Sequence, residues 1–196
     1  MRSADSISVK SSWRLGGMLA IVVIMVVLTA GWPLVNASIS DRQRLAASGT
    51  LAIGPSRKDS ARITVGDGWS LRKSQSDPQQ DYELYYGGVD LSVRYVTLIG
   101  RLRPGKLWSG LGHIVRISSS SARLGVPSPI ENSQGLRGIT GTFTRSGRAG
   151  LATVFPGPGG TFAIEMTTLA RPGARAADRA AAQLVVRSIM FPEVKR

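Results

Sequence analysis

The chain of 196 residues is long enough for one membrane anchor and one domain, and short for two domains. It carries 25 Lys+Arg against 12 Asp+Glu, a net charge of +13, with one histidine and no cysteine. Those counts exclude disulfides, Cys-type zinc and iron–sulfur sites, a cysteine nucleophile and a lipid-modified N-terminal cysteine. A hydrophobic content of 42% argues for a folded rather than a disordered chain.

In chain order, residues 1–14 read as a short basic tail. Leu15 to Ser40 then contain no charge, around a dense apolar core from Met18 to Leu28. A run of about 20 apolar residues crosses a hydrocarbon core of roughly 30 Å as a helix. Trp13 and Trp32 are 19 residues apart, about 28 Å along a helix, which sets both indoles near headgroup level. We read residues 15–37 as a transmembrane helix. The competing reading is a signal peptide cleaved after Ala37, since Val35-Asn36-Ala37 has small residues at the required spacing. Arg14 abuts the helix, whereas the far side has no charge before Asp41. This favours a cytoplasmic N-terminus and an extracytoplasmic C-terminal domain; the reverse topology is the alternative.

Residues 38–58 read as a polar linker, with a turn signal at Gly54-Pro55 and a short apolar piece, Leu51–Ile53, expected to pack on the domain. The domain then spans 59–196. Arg62–Val65 is a first strand, and Gly66-Asp67-Gly68 leads into a second from Trp69. Asp81–Tyr86 and Val89–Leu98 alternate strictly about Gly87-Gly88, a strong hairpin signal. A two-residue loop places Tyr86 opposite Val89, Leu84 opposite Leu91 and Tyr82 opposite Val93 on one apolar face. The other face then pairs Tyr85 with Asp90, Glu83 with Ser92 and Asp81 with Arg94. A slip of one residue would destroy both faces.

Pro104 to about Ser118 is predicted helical, with Leu107, Trp108, Leu111, Ile114 and Val115 on one face. Strands follow at 136–145, 149–155 and 161–169. A last helix from Ala174 to about Ile189 presents Ala177, Ala181, Leu184, Val185 and Ser188 inward. The order β-β-β-β-α-β-β-β-α with hairpin links predicts an α+β domain: an antiparallel sheet flanked by helices, preceded by the one transmembrane helix.

Gly66-Asp67-Gly68-Trp69, the Tyr82–Leu98 hairpin, the middle helix, three further strands and a terminal Ser188-Ile189-Met190-Phe191 after an alanine-rich helix together resemble the PsbP-like fold. The Arg-rich, Lys-poor anchored chain also resembles uncharacterised actinobacterial single-pass membrane proteins. Members of this fold include photosystem accessory subunits, a GTPase-binding nuclear import factor and bacterial lipoproteins. The resemblance therefore implies binding or assembly rather than catalysis, and carries over no catalytic residue and no cofactor. This chain lacks the lipoproteins' modified cysteine, so the helix replaces the lipid as anchor.

Candidate chemistry is sparse. Gly100-Arg101-Leu102-Arg103-Pro104-Gly105-Lys106 matches a phosphate-binding loop, but Leu107 stands where a hydroxyl must ligate magnesium. What remains is a candidate anion site of Arg101, Arg103 and Lys106 at a helix N-terminus. His113 falls opposite the apolar helix face and reads as solvated. Asp81, Glu83 and Asp90 read as structural or solvated, and no metal site is expected. Tyr85 and Arg94 form a candidate partner surface on the polar hairpin face. Residues 41–196 hold 22 cations and 11 anions. Outside a cell, anionic lipid headgroups or cell-wall phosphates are their natural counterions. Nucleic acid is disfavoured, because no recognised binding motif accompanies the charge. The expected function is a non-catalytic, membrane-anchored accessory protein that binds another membrane or envelope protein. An enzyme with an unrecognised site and a cytoplasmic basic domain are the alternatives.

Overall fold

A computed structural model describes residues 25, 41–46, 48–100 and 104–192. The expected tail and transmembrane helix, apart from Met25, lie outside the described residues. Among the described residues no helix is long and apolar enough to cross a membrane. Residues 41–196 form one compact unit.

Eleven strands and two longer helices follow one another among the described residues. These are β1 (Arg42–Arg44), β2 (Gly49–Ile53), β3 (Ala61–Val65), β4 (Ser70–Arg72), β5 (Asp81–Tyr86), β6 (Val89–Thr97), α1 (Pro104–Ser118), β7 (Arg123–Leu124), β8 (Ser128–Glu131), β9 (Arg137–Arg145), β10 (Arg148–Pro156), β11 (Phe162–Ala170) and α2 (Ala176–Arg187). Nine strands make one antiparallel sheet in the order β1-β4-β5-β6-β11-β10-β9-β7, with β8 also on β9. The expected α+β class holds.

The β5–β6 hairpin pairs in the register its alternation demands, from Asp81 opposite Arg94 to Tyr86 opposite Val89. Its apolar face is buried: Leu84, Val89, Leu91 and Val93 each keep 1% or less of their exposure. Gly87 adopts φ +53°, open to glycine at little cost. A Cβ there would lie 2.6 Å from the Asp178 carboxyl, so the turn is tucked against the start of α2.

The sheet has two covered faces. On the inner face, α2 and the separate β2–β3 hairpin enclose Leu91, Val93, Phe155, Phe162, Ile164 and Met166. On the outer face, α1 lays Leu107, Trp108, Leu111 and Val115 over Phe143, Ala152, Val154, Ala163 and Leu169. Gly141 lets Trp108 approach, since a Cβ there would meet its ring at 2.8 Å. The Ser188 hydroxyl bonds both the amide and the carbonyl of Thr64 and ties the end of α2 to β3.

Four expectations need correction. Residues 38–58 are not simply a linker: β1 extends the main sheet beside β4, and β2 pairs with β3 and buries Ile53 completely. Strands β7 and β8 are additional, too short and polar to show periodicity. On α1, Ile114 is 42% exposed, because the sheet contacts only the narrower stripe 107, 108, 111 and 115. On α2 the buried face is Asp178, Ala182, Val185 and Val186, whereas Leu184 is 70% exposed. The whole face is rotated by one position, because a buried carboxylate occupies its first place and pattern-reading counts carboxylates as outward.

Candidate functional site

The polar face of the hairpin and its neighbour β11 build a grid of side chains on the outer face. Ladder register gives the rows Asp81–Arg94–Glu165, Glu83–Ser92–Thr167 and Tyr85–Asp90–Leu169. The middle row is short at Ser92 and Thr167, with longer side chains around them. Helix α1 covers β9–β11 but stops short of β5, so it forms a wall rather than a roof. The result is a cleft of about 170 Å³ bordered by Glu83, Arg94, Glu165, Arg145 and, from the helix, Ile114 and Ser118.

Two carboxyls in this cleft have their pKa raised by burial. Burial raises the pKa of Glu165, and the nearby Arg94 guanidinium only partly offsets it. Burial also raises that of Glu83, against the hydroxyl of Ser92 and the charges of Arg72 and Arg94. Glu165 keeps only 9% of its exposure. Among the described residues it accepts no hydrogen bond and forms no ion pair within 4 Å. Burial makes its charged form costly, although its oxygens are not sealed from the cleft. Here it faces an open cleft, where an incoming donor can satisfy it.

The third row carries a second cluster. Asp90 pairs with Arg148 at 2.7 Å and with Arg171 at 3.5 Å. Its buried Oδ1 accepts no hydrogen bond and is left to the longer attraction of Arg171. The Tyr85 ring lies between two guanidiniums, Arg42 at 4.7 Å and Arg171 at 5.0 Å. Such stacks hold arginines in place without neutralising them.

Of the expected site residues, Arg94 borders the cleft and is exposed. Tyr85 is half-buried on the same face, but its guanidinium neighbours are Arg42 and Arg171 rather than Arg94. Lys106 is exposed in the first turn of α1, while Arg101 and Arg103 lie outside the described residues. His113 is exposed, as its helical position requires. Glu165 escaped sequence reasoning. Its signal was a lone charge within the apolar strand Phe162-Ala-Ile-Glu-Met166, a strand paired on both sides. Among the described residues no group of His, Asp and Glu is placed to hold a metal ion.

No family model and no curated protein sequence matches the chain. Among solved structures it is similar to the solution structure of cyanobacterial PsbP (CyanoP) from Synechocystis sp. PCC 6803. That likeness has a TM-score of 0.54 at 12% identity, and covers 76% of this chain and 95% of the other. A crystal structure from Bacteroides thetaiotaomicron VPI-5482 matches more loosely, with a TM-score of 0.35 at 11% identity over 69% of this chain and 46% of the other. The fold of this chain is PsbP-like.

Proposed function

We propose that the protein is a membrane-anchored, extracytoplasmic binding or accessory protein that does no chemistry of its own. Its outer-face cleft receives a donor-bearing group of another membrane or envelope protein. The observation that carries this reading is Glu165, a largely buried carboxyl that lines an open cleft and accepts no hydrogen bond from the described residues. A lysine or arginine side chain of a partner supplies a donor to Glu165, and Glu83 borders the same cleft from β5. The exposed guanidiniums of Arg94 and Arg145 select what surrounds that group, by favouring a partner surface with carboxylates around one central cation. Size supports recognition of a side chain: the cleft's 170 Å³ falls below the roughly 300–1,000 Å³ usual for small-molecule sites.

A second reading rests on one observation. Two carboxylates with raised pKa values in one cleft also suit general acid–base chemistry. The two readings separate experimentally. A photo-crosslinking residue at position 118, on the helical wall of the cleft, is expected to form one defined adduct in intact cells, abolished by Glu165→Gln, with none from the same group at Ser56. Persistence of the adduct in Glu165→Gln, or absence of any adduct, overturns the binding reading. Topology is tested in parallel, helped by the lack of cysteine. In intact cells a membrane-impermeant maleimide should label Ser76→Cys and spare Ser3→Cys, and the opposite pattern would move the domain to the cytoplasm.

A further inference from the structure

The inner face of the sheet is incompletely covered alongside α2, and the uncovered part is a groove. A hollow of about 460 Å³ is lined by Val89, Ala149, Leu151, Thr168, Ala170 and Ala182. A second of about 160 Å³ continues past Ile130, Thr153 and Val186. Leu151, Thr168 and Gln183 border both, so the two are one channel along the helix. The larger hollow alone lies within the range of small-molecule sites, about 300–1,000 Å³.

The groove has a structural cause. Strands β10 and β11 pair at Ala149–Ala170 and again at Ala152–Thr167, but not between. In the gap the Thr168 hydroxyl takes the place of a ladder carbonyl, accepting the Leu151 amide at 2.9 Å and donating to the Leu151 carbonyl at 3.3 Å. The Thr140 and Thr153 hydroxyls likewise bond each other at 2.9 Å, and Thr140 is also 3.1 Å from the Ala152 carbonyl. The hydroxyls of the floor are therefore satisfied from within. An occupant meets methyl and methylene groups there, and polar ligand atoms gain little on the floor.

The rim is different. Arg179 and Arg187 stand along it, with Arg171, itself paired with Asp90, at one end, and no carboxylate lines either hollow. Among the described residues neither Arg179 nor Arg187 forms an ion pair. We propose that this groove binds a single-chain amphiphile with an anionic head group. The chain lies on the Val89–Leu151–Val186 floor, and the head group meets the arginines of the rim. Apolar burial supplies affinity along the floor, and charge complementarity selects the head group. This site is on the opposite sheet face from the Glu165 cleft.

The absence of cysteine allows a direct test. Full-length protein carrying Leu151→Cys, in phosphatidylcholine nanodiscs, is modified with a small thiol reagent in the presence of dodecanoate, dodecyl maltoside or dodecyltrimethylammonium. At about ten times its Kd, dodecanoate should slow modification about tenfold by simple occupancy. The neutral and cationic amphiphiles of equal chain length should do so far less. Ser119→Cys, on the outer face, should react at an unchanged rate. Arg179→Glu combined with Arg187→Glu should abolish the protection, and Gln183→Cys gives a second reporter should Leu151→Cys unfold. Protection by dodecanoate identifies a free amphiphile as a competent ligand. Protection seen only when the nanodiscs contain lysophosphatidylglycerol, which has one acyl chain, assigns the same chemistry to a membrane lipid. Equal protection by the cationic amphiphile, equal protection at Ser119→Cys, protection that survives the double charge reversal, or no protection at all overturns the proposal.

Discussion

The inner face of α2 offers a sharp test of how this domain is held together. Val185 retains 3% of its exposure, while its neighbour Leu184 retains 70%. Val185→Ala removes two buried carbons, worth about 1.6 kcal/mol of transfer free energy at roughly 0.8 kcal/mol each. The cavity left between helix and sheet takes the total cost to about 2–3 kcal/mol. Leu184→Ala removes three carbons, a larger truncation, from a side chain already in solvent. Its cost should stay within about 0.5 kcal/mol. The assay is urea unfolding of the 41–196 unit followed by Trp69 and Trp108 fluorescence, with the slope checked for constancy. If Leu184→Ala costs more than Val185→Ala, the helix is turned by one residue, roughly 100°. The buried role of Asp178 would fall with it.

Three further outcomes follow from the same geometry. Glu165 binds its proton more tightly folded than unfolded, so it lowers stability as pH rises from its unfolded pKa of about 4.3 through the raised folded value. Glu165→Gln should therefore flatten that limb and stabilise the protein at neutral pH, measured by thermal unfolding across a pH series; a loss of stability at pH 7 would show that Arg94 outweighs desolvation. Asp178 has the opposite sign. The Arg175 guanidinium, ahead of the Gly88 amide, holds its pKa down, so its contribution is present above about pH 3.9 and fades as pH falls through the lowered folded value. Asp178→Asn should remove that acid limb and speed exchange of the Gly88 amide, now 3.2 Å from the carboxylate, and unchanged exchange would refute the contact. Gly141→Ala drives a Cβ to within 2.8 Å of the Trp108 ring; it should cost about 1–3 kcal/mol by overpacking and shift Trp108 emission as α1 lifts.

Local pairings follow from the order of residues along each strand. The β5–β6 register was legible because strand side chains alternate with period two, and only one register puts Tyr82, Leu84, Val89, Leu91 and Val93 on a common face. The span of α1 was legible for a similar reason, with apolar residues at helical spacing and a proline at its first turn. The outward position of His113 followed from that helix.

Tertiary structure decided what covers each face, and hence where charge is buried. Asp178 reads as an outward residue of α2 until the Gly87-Gly88 turn is set against it, where its carboxylate meets Gly88 and Arg175. Arg42–Arg44 carries no strand periodicity of its own, and becomes a strand because β4 offers an open edge. Glu165 is one charge in an apolar strand, and only the placement of α1 beside β6 and β11 turns it into the floor of a cleft. The groove along α2 depends on a break in the β10–β11 ladder that Thr168 repairs from the side. Periodicity is written into neighbouring residues; desolvation depends on residues distant in the chain, and it is desolvation that makes these sites.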